Sequence, residues 1–146
     1  MPYLSTLMCR LEAWLENQNI TLEYKALPQG THGVFESKAR RITVSSTLSP
    51  NAAFKTLIHE TAHALLHREN TERTQAELEA ESCAYLVCAE LGLDTGSYSF
   101  AYLADWSPSV QAVLEAGQKA TLTAKQILAV LGPPVLTDEE MVAWLA

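Results

Sequence analysis

The chain has 146 residues, 48% of them hydrophobic, and a formal net charge of −7. That length suits a single domain over residues 1–146 with a core of its own, and the apolar content excludes a disordered chain. No apolar run reaches the roughly 18 residues of a membrane span, and the opening MPYLSTLMCRLEAWLENQ, interrupted by Arg10, Glu12 and Glu16, is amphipathic and unlike a signal peptide, so a cytoplasmic protein is expected.

Leu4, Leu7, Met8, Leu11, Trp14 and Leu15 recur at helical spacing and predict a helix over residues 3–17. NITLEYKAL alternates Ile20, Leu22, Tyr24 and Ala26 and predicts a strand; PQGTHG, with His32, is loop chemistry. VFESKARRITVSS predicts a hairpin turning near Lys38 and Ala39, with Ile42 and Val44 on one face. LSPN then announces a helix over residues 50–67, with Ser49 as N-cap and Pro50 at its first position. A further helix fits residues 75–91 and stops at Gly92. A long irregular connection, GLDTGSYSFAYLADW, leads to a helix starting at Ser107 and Pro108. Its stripe is Val110, Val113, Leu114, Ala120, Ala124, Ile127, Leu128 and Leu131. After Pro133 and Pro134, TDEE is a capping box for a short last helix ending near Trp144. The fold class expected is α+β: a small antiparallel sheet of about three strands, packed on two adjoining helices, with further C-terminal helices.

The charge is unevenly placed. Residues 1–73 hold eight basic and seven acidic side chains, whereas residues 74–118 hold seven carboxylates and no Lys or Arg. Such an acidic stretch argues against direct binding to a phosphate backbone, so no nucleic-acid partner is expected there. Cys9, Cys83 and Cys88 are odd in number and form no CxxC pair, which argues against a disulfide framework or a cysteine zinc cluster.

Three of the four histidines fall in TLIHETAHALLH, residues 56–67. His59 and His63 stand one helical turn apart on one face, so both imidazoles can converge on one zinc ion at about 2.0–2.1 Å. Glu60 is rotated off that face and is left to serve as general base on water. HETAH matches the HExxH pattern in full. His67 is not expected to be a ligand: on an unbroken helix it lies about 12 Å along the axis from His59, and it suits packing or hydrogen bonding at the helix end.

The third zinc ligand is expected from the next helix, where AELEAES offers Glu77, Glu79 and Glu81. Glu77 and Glu81 share a face and Glu79 points elsewhere. No Lys or Arg follows at i+4 to pair these charges. Glu77 is assigned as the ligand and Glu81 as the group holding a histidine by its other nitrogen, with the reverse order left open. Tyr98 and Tyr102 lie in the irregular connection; Tyr102 is the candidate donor to a developing oxyanion, the alternative being that both tyrosines, with Phe100 and Trp106, cover the core.

KTLIHETAHALLH followed by ELEAESCAYLVCAELGLDTGSY resembles the ImmA/IrrE metallopeptidase family, and is similar to the metallopeptidase-like domain of ArdC-type antirestriction proteins. The likeness covers residues 31–106 and places the family motif on His59, Glu60, His63, Glu77 and Glu81. It implies a zinc-dependent fold of a small sheet packed on helices, and cleavage of a DNA-bound repressor. Glu81 stands where an asparagine is common, and Cys83 replaces an aromatic. The expected function is zinc-dependent hydrolysis of a peptide bond in a protein substrate. A non-catalytic zinc-site binding module, or a zinc hydrolase acting on something other than protein, are the alternatives.

Overall fold

Leu4, Leu7, Leu11 and Leu15 bury one face of helix α1 (Pro2–Asn17). The computed structural model describes residues 2–66, 72–93 and 109–132. Past α1, Asn19 takes a left-handed φ of 60°, a conformation asparagine tolerates, and Ile20 N–H bonds back to the Leu15 carbonyl at 2.9 Å. The chain thereby reverses into β1 (Thr21–Lys25) and continues through β2 (Gly33–Glu36) and β3 (Arg41–Ser45).

The sheet order is β1–β3–β2. β3 runs antiparallel to β2, as the hairpin pattern predicts, and parallel to β1, so the three-stranded sheet is mixed and not antiparallel throughout. Arg40 helps to set the parallel pair. Its guanidinium donates to the carbonyls of Gln18 (2.8 Å) and Asn19 (3.3 Å), and its own carbonyl accepts Thr21 N–H at 2.9 Å. These bonds seat the start of β3 beside the start of β1. β3 is the central strand, and Ile42, Thr43, Val44 and Ser45 are all buried.

Helix α2 (Pro50–Leu66) lies on β2 and β3. Ser49 caps it as predicted, its hydroxyl accepting Ala52 N–H at 3.4 Å. Phe54, Leu57 and Ile58 are fully buried and form the centre of the core with α1 and β3. Helix α3 (Arg73–Glu90) packs on α2 and starts two residues earlier than predicted, because the Glu72 carboxylate caps it, accepting Thr74 and Gln75 N–H at 2.9 Å each. Gly92 ends it with a φ of 72°. Helix α4 (Val110–Leu131) is capped by Ser109, packs chiefly on α3 and also on α1 and α2, and buries Ala116, Ala120, Ala124 and Ile127. The predicted stripe is buried only from there onward; Val110, Val113 and Leu114 are exposed. Arg10 of α1 donates to the Leu131 carbonyl at 2.6 Å and ties α4 back to the N-terminus.

The connection after residue 93, the helix start at Ser107 and Pro108, and the short last helix lie outside the described residues. Among the described residues no helix is long and apolar enough to cross a membrane.

Candidate metal centre

His59 and His63 are one turn apart on α2, and both project towards α3. Their Nε2 atoms are 3.2 Å apart, and the rings meet edge to face with centroids at 4.8 Å. Glu77 reaches them from α3: one carboxylate oxygen lies 3.1 Å from His59 Nε2 and the other 3.0 Å from His63 Nε2. Glu81, one turn further along α3, holds the other side of the first ring, with Oε2 3.1 Å from His59 Nδ1. Its remaining oxygen pairs with Lys55 Nζ at 2.7 Å. Glu60 is buried beside the pair, and single donor atoms of His59, Glu60 and His63 lie within 4.8 Å of one another, a cluster that can hold a metal ion.

This donor set fits zinc. Two ligands at tetrahedral angles, each about 2.0–2.1 Å from the ion, stand about 3.3 Å apart. The two Nε2 atoms are 3.2 Å apart, and each lies 3.0–3.1 Å from a different oxygen of the Glu77 carboxylate. The cleft in front of them has a volume of about 680 Å³, and His32, Lys55, Glu60 and Arg73 are among its lining residues.

The charges are strongly coupled. Burial works against a charged His59, but hydrogen bonds to Glu77 and Glu81 and the fields of Glu60 and Glu77 outweigh it and raise the imidazole to about 9. Glu77 is held far below the usual carboxylate range by its hydrogen bonds to His59 and His63. For Glu81, burial pushes upward, yet the bonds from His59 and Lys55 prevail and lower it. Glu60 is raised, by burial first, against the opposing fields of the histidines. Burial likewise pushes Cys83 up to about 12 and Cys88 up to about 11, so neither presents a thiolate near neutral pH.

A histidine whose pKa is raised on folding stabilises the fold fully below its unfolded value and loses that contribution as pH climbs through the folded one. For His59 that window runs from 6.5 to about 9. Chelator-treated protein should therefore lose up to about 3 kcal/mol of stability across it. Urea titrations at successive pH values read this directly, and a flat profile over the window would contradict the His59 contacts.

The structure brings together His59, Glu60, His63, Glu77 and Glu81. Glu79 points elsewhere, as its position on the helix predicts: it is buried on the side of α4, with Lys119 Nζ 3.7 Å away. Tyr98, Tyr102 and His67 lie outside the described residues. Two residues of the site escape a motif search. Lys55 supplies the counter-charge that α3 lacks beyond Arg73, and its signal was its place four residues before His59, on the same face of α2. Gly33 opens β2 against the same helix. A Cβ there would fall 2.6 Å from Thr56 Cγ2 and 3.2 Å from Glu60 Cγ, so only glycine lets the strand lie this close.

Comparison with known proteins agrees with this geometry. No solved structure matches. An uncharacterized protein of Bacillus anthracis is 29% identical over 121 residues, which are 72% of this chain and 20% of that protein. The chain thus spans about a fifth of that relative's length. The family model of Peptidase M78, the IrrE N-terminal-like domain, matches residues 15–95, which hold the whole sheet, α2 and α3. The chain belongs to this metallopeptidase family.

Proposed function

We propose that the chain is a zinc-dependent peptidase in which His59, His63 and Glu77 hold the ion, Glu60 is the general base, and Glu81 orients His59. The observation that carries this reading is the convergence of two helices on one point: the His59 and His63 Nε2 atoms of α2 are 3.2 Å apart, and each faces one carboxylate oxygen of Glu77 on α3, at 3.1 and 3.0 Å, beside a cleft that His59 and Glu77 line. Glu77 is preferred to Glu60 as the third ligand because its two oxygens face both Nε2 atoms. Glu60 is buried, and a raised carboxyl is the better proton acceptor.

When bound, zinc supplies Lewis acidity that lowers the pKa of water and polarises a carbonyl. Glu60 takes a proton from the attacking water as the water oxygen bonds to the peptide carbonyl carbon. It returns that proton to the amine nitrogen as the C–N bond breaks, so the carboxylate is regenerated. Glu81 fixes which nitrogen of His59 faces the site, by engaging Nδ1. Tyr102 is proposed as a donor to the developing oxyanion. The substrate is a protein, a transcriptional repressor being the first candidate; the acidic middle of the chain gives no support to direct nucleic-acid contact, and a cytoplasmic location is proposed.

A peptide library made from a digested proteome tests this without singling out one substrate. The protein is incubated with the library, and new termini are read by mass spectrometry. Cleavage should appear, vanish with chelator and return with zinc. Uptake of zinc with no new termini would favour the binding module over the peptidase.

A further inference from the structure

We infer that Lys55 is a positioning residue for the metal centre, acting through Glu81 on His59. This rests on the reading of His59 as a zinc ligand. Lys55 precedes His59 by one turn of α2, so the two side chains share the face that looks onto α3. Between them stands the Glu81 carboxylate, which is almost wholly withdrawn from water, with 11% of its side chain exposed. It is engaged at both ends: Oε1 pairs with Lys55 Nζ at 2.7 Å, and Oε2 meets His59 Nδ1 at 3.1 Å. A carboxylate held at both oxygens cannot rotate about its terminal bond without breaking a charged contact. Lys55 thereby fixes the plane in which Glu81 meets the imidazole, and so the direction in which His59 Nε2 points.

The ammonium group also answers a problem of burial. A carboxylate in this position with a single partner would carry an unmet desolvation cost, and would be drawn towards solvent or other donors. Glu77 and Glu79 offer it none, being acidic themselves. The nearest cation beyond Lys55 on these two helices that lines the cleft is Arg73, two turns back along α3. Lys55 therefore keeps Glu81 turned inward. A direct role is the competing one, since Lys55 lines the cleft and its ammonium group could meet the substrate instead.

Zinc affinity separates these roles, because a substrate contact does not alter it. Metal-free protein is titrated with zinc against a chromophoric chelator for the unmodified chain, Lys55→Met, Lys55→Arg, Glu81→Gln and the double variant Lys55→Met with Glu81→Gln, with circular dichroism to verify folding. Lys55→Met should weaken zinc binding by about tenfold or more, the usual effect of losing a partner behind a metal ligand. Lys55→Arg should recover most of the loss. In the Glu81→Gln background, Lys55→Met should cost almost nothing further, because the relay is already cut. Unchanged zinc affinity in Lys55→Met, or an equal loss with and without Glu81, overturns the inference while leaving the metal site intact. If the unmodified chain takes up no zinc, the metallopeptidase reading falls and this one with it. If Lys55→Met does not fold, the comparison of Lys55→Arg in the two backgrounds decides: arginine must keep zinc affinity near that of the unmodified chain with Glu81 present, and any loss must vanish with Glu81→Gln.

Discussion

Glu60→Gln should leave zinc content and fold intact and lower peptide hydrolysis by about 10²–10⁴-fold, the usual contribution of a positioned general base. Glutamine keeps the shape of the side chain, which matters here because Glu60 is buried and its Cγ lies where Gly33 leaves space. The amide cannot accept the proton, so water loses its base. Burial raises the Glu60 carboxyl, so its charged form is held at a cost and a neutral replacement of the same shape should not destabilise the fold. Metal content and steady-state cleavage measured on one preparation check both halves. Loss of zinc together with loss of activity would show that Glu60 is a ligand.

The second large effect concerns the second and third histidines of TLIHETAHALLH, His63 and His67. His63→Gln should lose most of its zinc at micromolar protein, since an imidazole 3.2 Å from His59 Nε2 and 3.0 Å from Glu77 is removed. His67→Gln should keep zinc near one equivalent. The reason is the spacing expected from the sequence: on a continuous helix two residues eight apart are separated by about 12 Å along the axis, too far for one ion. With His67 read from the sequence as a cation near a helix end, its loss should lower stability by no more than about 0.3–1 kcal/mol. Zinc titrations of the two variants side by side decide it. Equal loss in both would mean that the third ligand is His67 and not a glutamate of α3.

Much of this site was legible because its information is local. HETAH places two imidazoles on one face by helical geometry alone, and the i,i+4 spacing of Glu77 and Glu81 turns both towards α2 while sending Glu79 to the opposite side. Ser49 and Gly92 mark helix ends through their own backbone and side-chain chemistry. What was not legible depends on contacts distant in sequence. The parallel pairing of β1 with β3 rests on Arg40 reaching Gln18 and Asn19, more than 20 residues away. Lys55 has no partner in its own stretch of sequence, and its role becomes visible only when α3 brings Glu81 to it. Gly33 reads as loop punctuation until α2 lies against it. Periodicity also overstated the burial of α4, since it marks an apolar stripe without showing where a partner helix begins, and Val110 is 78% exposed.

The central claim is that His59, His63 and Glu77 together hold one zinc ion. It is tested most directly by elemental analysis of the purified chain and of Glu77→Gln after dialysis against the same zinc buffer. The unmodified chain should carry about one equivalent, removed by chelator and restored on titration, and Glu77→Gln should carry well below that, having lost the charged ligand. An unmodified chain that holds no zinc and takes up none, or a Glu77→Gln variant that stays fully loaded while Glu60→Gln is empty, would contradict it.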